Sequence, residues 1–442
     1  MSTVTDARNA NRTFWLVSVI FATPMAFALV PTPLWPLYQE QQGFSTLTVT
    51  IAFSVYAIGV LGSLLFGGQA SDILGRRPVI AAAIFAELVS ALIFSASANL
   101  FAVLVARFVC GVGIGLLTAA AGAYLVDLDS RARPHSDRTR ANTVSTAATL
   151  GGFAIGAISA GLTVQIAPAP LRTPYLIYAL LLLAAGTALA AAPAQQVPAK
   201  RRERWRPQRI EVPSDGRPAF FAAAATVLAV NSLFGTVTVL APSMLSQTLD
   251  ESSPLVAGFV VGAMFLSSAT AQIFLAHLSV RAQVVSGWVM FVAGMAALVT
   301  GLSGGTLSAF VIGAAVGGAG AGTLFKAAIS IGATLGKPEQ RGETMAGLYV
   351  AFYLGITLPV VGMGALTLLM PFQESFLIFA VTSVAAISGG AAGLLRTLKR
   401  TPRAETVSRS SAQPRVHAEP GRRTDFPPSR IRACTCPDEP KQ

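Results

Sequence analysis

Twelve apolar runs, each long enough to cross a membrane as one helix, dominate this chain. They fall at 13–36, 47–66, 78–97, 99–126, 142–165, 174–193, 218–243, 254–276, 283–303, 306–334, 342–368 and 374–396. About 20 residues at 1.5 Å each cover the roughly 30 Å hydrocarbon core of a bilayer. Inside hydrocarbon the backbone polar groups must be satisfied within the protein, which leaves helices or closed barrels. A barrel would read as alternating segments of about ten residues, and these runs are continuous instead. The expected fold class is an all-α polytopic membrane protein with twelve transmembrane helices. Composition agrees: 53% of residues are hydrophobic and 12% charged, where a soluble domain carries roughly 25% charged residues. The polar start MSTVTDARNANR leads into a span of full length, so the first helix itself is expected to direct the chain to the membrane.

Lys and Arg separate the loops into two sets. One set holds Arg8 and Arg12, Arg76 and Arg77, the run from Arg131 to Arg140, the run from Lys200 to Arg217, Arg281, and Lys337 with Arg341; the other holds Arg172 and no further Lys or Arg. By the positive-inside rule both termini are expected in the cytoplasm, with the chain in the cytoplasmic (inner) membrane. The net charge of +12 and the pI near 10.3 are then a topology signal plus a basic tail. Nucleic-acid binding is not implied, because the charges do not gather on one face of a folded domain.

The expected organisation is a cytoplasmic N-terminal tail at 1–12, a six-helix bundle at 13–193, a cytoplasmic linker at 194–217, a second six-helix bundle at 218–396, and a disordered basic tail at 397–442. The linker region PAQQVPAKRRERWRPQRIEVPSDGRP has no apolar periodicity. The tail is rich in Arg, Pro and Ser. The two halves resemble each other: CGVGIGLLTA at 110–119 aligns with GGAGAGTLFK at 317–326 at an offset of 207 residues. Near that offset Asp72 falls by His277, Arg76 by Arg281 and Arg138 by Arg341. Internal repeats of this kind are a common transporter plan, with the substrate site at midplane between them.

Catalytic and metal chemistry find little support. His135, His277 and His417 lie apart, and no phosphate-binding glycine loop is evident. Cys110 sits among glycines as a small packing residue, and Cys434 with Cys436 makes only half of a four-ligand zinc site. No enzyme, cofactor, metal or ATP-driven step is expected.

The charged stretch GGQASDILGRRP interrupts two apolar runs. Gly68, Asp72, Gly75, Arg76 and Arg77 resemble the signature G-x-x-x-D-x-x-G-R-R of the major facilitator superfamily. Two further features resemble that family: an arginine followed by spaced glycines in the fourth span, here Arg107, Gly111, Gly113 and Gly115 in RFVCGVGIG, and an acid at the cytoplasmic end of that span, here Asp127. The chain resembles bacterial efflux permeases in particular. It departs from them at Ile73, where the loop often has a base, and at Ala157, where antiporters often carry a proline. The resemblance implies two pseudo-symmetric six-helix bundles and a cavity lined by spans one, four, seven and ten. It also implies a cytoplasmic gate built from Gly68, Asp72, Gly75, Arg76, Arg77 and Asp127. The alternative for the two arginines is that they only orient the hairpin.

Charges inside the membrane are costly and mark functional candidates. Glu87 and Arg107 flank a hairpin turning near Ala98 and are expected at similar depth, paired or within one polar network. Such a pair could share a proton with the transport cycle, or be static. Lys326 could face an anionic solute in the cavity or snorkel to headgroups. Asn231, Tyr349 and Tyr353 could touch solute or bond between helices. Gly111, Gly113 and Gly115 are read as helix-packing positions. VPTPLWPLY, with Pro31, Pro33 and Pro36, is expected to bend or unwind the first span.

The expected function is secondary transport of a small organic solute by alternating access: proton-coupled efflux of a drug or metabolite, by a monomer embedded in the lipid bilayer. Uptake or facilitated passage is the alternative within the class, and a non-transporting receptor or scaffold the alternative outside it.

Overall fold

A computed structural model describes residues 2–67, 70–134, 137–192, 212, 216–335 and 341–400. Gly68, the side chain of Asp72, most of the linker and the whole 401–442 tail lie outside the described residues. Each apolar run folds as a helix. The order is α1 (Ser2–Ala28), α2 (Trp35–Gln42), α3 (Thr46–Gly67), α4 (Ala70–Ile73), α5 (Arg76–Ala96), α6 (Leu100–Ala132) and α7 (Thr139–Ile166). Then follow α8 (Thr173–Ala191), α9 (Arg217–Thr248), α10 (Pro254–Phe274), α11 (Val280–Ser303), α12 (Leu307–Gly332), α13 (Arg341–Leu366) and α14 (Phe372–Arg400). Twelve segments are long and apolar enough to span a membrane, with α1 and α2 together forming the first.

Local sequence sets the ends. Asn99 and Ser253 accept the Ala102 and Val256 N–H groups as N-caps, and Pro254 follows at the first helical position. Gly43 closes α2 at φ +68°, Gly75 opens α5 at φ +91°, and Gly305 turns α11 into α12 at φ +65°, all backbone that glycine adopts freely. The first span is broken rather than merely bent: α1 stops at Ala28, Thr32–Leu34 form a 3-10 turn, and α2 resumes at Trp35. Pro31, Pro33 and Pro36 withhold the N–H groups a continuous helix would need.

Large apolar side chains face outward in numbers no soluble surface tolerates, including Phe101 at 77% exposure and Leu369 at 81%. Inward, small residues let backbones touch. A Cβ on Gly111 would strike the Tyr56 carbonyl of α3, one on Gly115 would strike Ser63 of α3, and one on Gly113 would strike Glu87 of α5. At the 207-residue offset, Gly318 abuts Met264 and Gly322 abuts Ser268, both on α10, while Gly320 abuts Phe291 on α11. Spans two, three and four thus pack as spans eight, nine and ten do. The two six-helix halves are one plan used twice.

The halves meet along two seams, α7 against α10 and α3 against α13. Gly161 packs on Pro254, Gly258 on the Ala157 carbonyl, Gly262 on Ile158, and Gly364 on Thr50. Ser243 donates to Gln39 Oε1 (3.1 Å) and Ser253 to Gln165 Oε1 (3.4 Å) across the same junction. These contacts lie toward the ends of the helices remote from the basic loops.

Candidate functional site: a central cavity and a buried acid

A cavity of about 420 Å³ lies between the halves. The first half supplies Phe21, Met25, Phe53, Tyr56, Thr118, Thr149 and Phe153; the second supplies Asn231, Phe234, Thr238, Phe265, Gln272, Phe325, Tyr349, Phe352 and Tyr353. Among the described residues no acid or base lines it. Phe153, Phe265 and Phe234 form a chain of rings across the seam, with centroids 5.1 and 5.3 Å apart. Phe325, Phe352 and Tyr353 form a second, at 5.6 and 4.9 Å. Such pairs leave flat apolar faces and ring edges toward a guest.

Asn231, Tyr349 and Tyr353 are in this wall. Lys326 is not. It is half-buried, and its Nζ donates to the Gln272 carbonyl near the C-terminal end of α10, where a cation meets the exposed carbonyls of the helix. Gln272, its partner, does line the cavity.

Glu87 and Arg107 lie behind the wall, at 0% and 1% exposure. They are not in salt-bridge contact. Counting along the hairpin places them near one depth, but helices also have faces, and Ser90 Oγ donates to the Ala106 carbonyl (2.8 Å). With Ser90 opposite Ala106, Glu87 falls opposite Cys110 and Gly113, a turn beyond Arg107. Arg107 instead reaches the broken first span. Its Nη1 donates to the Ala28 carbonyl at the end of α1 (3.2 Å), and its guanidinium stands 5.0 Å from the Trp35 ring and 5.8 Å from the Tyr56 ring. The Glu87 oxygens are buried with no hydrogen bond of good geometry, the Cys110 thiol and the Ile114 backbone lying nearest them. The Arg107 Nε and Nη2 are buried with no hydrogen-bond partner. Tyr56 touches both regions, since it stands by Arg107 and lines the cavity.

At the basic-loop end, Arg76 pairs with Asp127 (3.5 Å) and donates to Ser71 (2.6 Å). Arg77 turns away and donates to the Leu189 and Ala190 carbonyls (2.6 and 2.8 Å), tying the end of α8 to α5. A neighbouring cluster was not foreseen. Asp129, 2% exposed, pairs with Arg140 (2.9 Å), which also donates to Asn11 (2.8 Å) and stands 4.3 Å from the Phe14 ring. Asp129, in the last turn of α6, and Arg140, in the first turn of α7, sit eleven positions apart across the connecting loop, a spacing that gives no local signal of pairing.

Twelve helices long and apolar enough to span a membrane, in two repeated halves around a cavity, define a polytopic membrane transporter fold. The chain belongs to the Major Facilitator Superfamily, whose family model matches residues 15–302 and 222–430. One stretch is 40% identical over 108 residues to the multidrug resistance protein MdtL of Shewanella sp. (strain ANA-3), covering 22% of this chain and 25% of that protein. MdtL of Klebsiella pneumoniae (strain 342) is 39% identical over 100 residues, with the same 22% and 25% coverage. The match thus spans a quarter of the length of these relatives. Among solved structures, a point mutant of the nucleoside transporter NupG superposes with a TM-score of 0.67 at 13% identity, over 86% of this chain and 99% of that one. The human organic anion transporter MFSD10 (TETRAN) superposes at 0.58 with 17% identity, over 87% and 99%. At these identities the likeness is one of fold.

Proposed function

We propose that this chain exports a small organic solute across the cytoplasmic membrane in exchange for protons, by alternating access of the two six-helix halves. The observation that carries the reading is the cavity between the halves, with the seams gathered at the end away from the basic loops. With the basic loops and both termini in the cytoplasm, the closed seams would be the outer ones, and this arrangement would be an inward-facing state ready to take a solute from inside. The halves at 13–193 and 218–396 would rock as bundles of a monomer, joined by the 194–217 linker. Arg76 with Asp127, together with Asp72, Gly68 and Gly75 of the same loop, would latch and release the cytoplasmic end.

Glu87 is the candidate proton carrier. An ionised carboxylate left unpaired in so buried a place costs several kcal/mol. During the cycle Glu87 must therefore either hold a proton or meet a cation. Packing alone does not ask for it. At the 207-residue offset Glu87 corresponds to Gly294 and Cys110 to Gly317, which touch backbone to backbone in the second half. The first half has an acid and a thiol where the repeat has two glycines. That the partially matching MdtL relatives are multidrug resistance proteins supports an export direction, since resistance by transport requires removal of the compound from the cell.

The test uses everted vesicles with an internally acid gradient, a pH-sensitive dye, and a panel of amphipathic compounds. Collapse of the gradient by a compound in wild type, and its absence in Glu87→Gln, is the expected result. Solute entry that stops at equal concentration and moves no protons would replace this reading with facilitated passage.

A further inference from the structure

The cavity wall also carries information about the solute. The inference rests on the cavity being the solute site, and it concerns the polar atoms that site leaves open. Asn231 is 1% exposed, its amide nitrogen donates to the Val227 carbonyl (2.7 Å), and no hydrogen bond to its carbonyl oxygen is recorded among the described residues. Thr238 is 2% exposed, and its Oγ1 is buried with no partner at all. Of the wall's other hydroxyls, Thr118 donates to the Ile114 carbonyl and Thr149 to the Ser145 carbonyl, each within its own helix. Asn231 and Thr238 are seven residues apart on α9, two turns, so they lie on one face about 10 Å apart. Phe234 and Gly235 lie between them on the same cavity-lining face.

An orphaned buried hydroxyl is a standing cost that a guest can relieve. An ion of either sign is a poor guest here, because it would lose its hydration shell with no opposite charge in the wall. Lys326 is directed to the end of α10, and Arg107 and Glu87 lie behind Tyr56.

We propose that the cavity selects an uncharged, ring-bearing solute with hydrogen-bonding groups at both ends. The Asn231 carbonyl accepts from a donor at one end, and the Thr238 hydroxyl, turned into the cavity by rotation about its Cα–Cβ bond, donates to an acceptor at the other. The aromatic wall stacks on the ring between them.

The test is equilibrium dialysis of 7-amino-4-methylcoumarin against proteoliposomes of the full-length protein, with protein-free liposomes as blank and no gradient applied. This probe is uncharged, with an amine donor at one end and a lactone carbonyl at the other. Its 3-acetic acid derivative supplies an anion, and berberine a flat cation. Wild type should bind the neutral probe more tightly than either ion. Thr238→Val, which keeps the side-chain shape, and Asn231→Leu should each weaken the neutral probe about fivefold or more, the loss of one hydrogen bond. Tighter binding of an ion, binding of none of the three, or unchanged binding in Thr238→Val would overturn the proposal. Because dialysis needs no proton gradient or direction of transport, a failure here leaves the vesicle result standing, and a failure of proton-coupled export leaves the binding result standing.

Discussion

Glu87 shows how far one residue can be judged from its setting. Its carboxyl is buried with no salt-bridge partner, beside the Cys110 thiol, and its counterpart in the repeat is a glycine. A group kept for packing leaves a costly hole when it is cut away, whereas glutamine keeps the shape and needs no proton. Glu87→Gln should therefore match or exceed wild type in thermal unfolding of the purified protein while losing solute-driven proton movement. A variant that unfolds earlier and still moves protons would make the residue structural. Arg140 makes the opposite case. Its partner Asp129 is 2% exposed, so Arg140→Ala leaves a buried carboxylate alone and should cost about 3–5 kcal/mol. Adding Asp129→Asn to that variant should restore part of the loss, read as a rise in melting temperature. A double variant no better than the single one would mean that the ring contacts with Phe14 and Trp15, not the ion pair, hold this corner.

At the scale of elements, the twelve spans were legible because the bilayer imposes a length and a composition that few other settings require. The turn at Gly305 and the break at Pro31–Pro36 could be anticipated from residues whose backbone permits little else. What stayed hidden was azimuth. Depth along a hairpin follows from counting, but the facing of Arg107 depends on how α6 leans on α1 and α3, which no local pattern encodes. The same limit applied to Arg77, which caps α8 rather than joining Arg76 on a carboxylate. Glycines show the limit most directly, since the sequence lists them without saying which are pressed. Gly62 of α3 has open space where a Cβ would stand, whereas Gly111 has the Tyr56 carbonyl. Gly62→Ala should leave stability unchanged or raise it by up to about 1 kcal/mol. Gly111→Ala should lower it by about 1–3 kcal/mol, because α3 and α6 must part. Equal effects at the two sites, measured by denaturant or thermal unfolding in one detergent, would contradict the packing described for this seam.

For the whole molecule, alternating access requires that the seam now closed be able to open. The α7–α10 contact holds by backbone proximity at Gly161, Gly258 and Gly262 and by single side-chain hydrogen bonds such as Ser253 to Gln165. Net contributions near 1 kcal/mol for such bonds let the junction part without a large barrier. No charged pair between α7 and α10 is recorded among the described residues that would have to be desolvated each time the junction re-forms. A covalent tie across the junction should therefore arrest the cycle without disturbing the fold. In a background with Cys434→Ser and Cys436→Ser, the pair Gln165→Cys and Ser253→Cys can be bridged by a short bis-methanethiosulfonate reagent. Cys110 is buried and should not compete. Transport in the bridged protein should fall to background and return on reduction, while either single cysteine treated alone keeps its rate. Solute movement at the wild-type rate in the bridged protein would mean that the path does not pass through this junction. The two halves would then act as one rigid body with a binding pocket, as a receptor would.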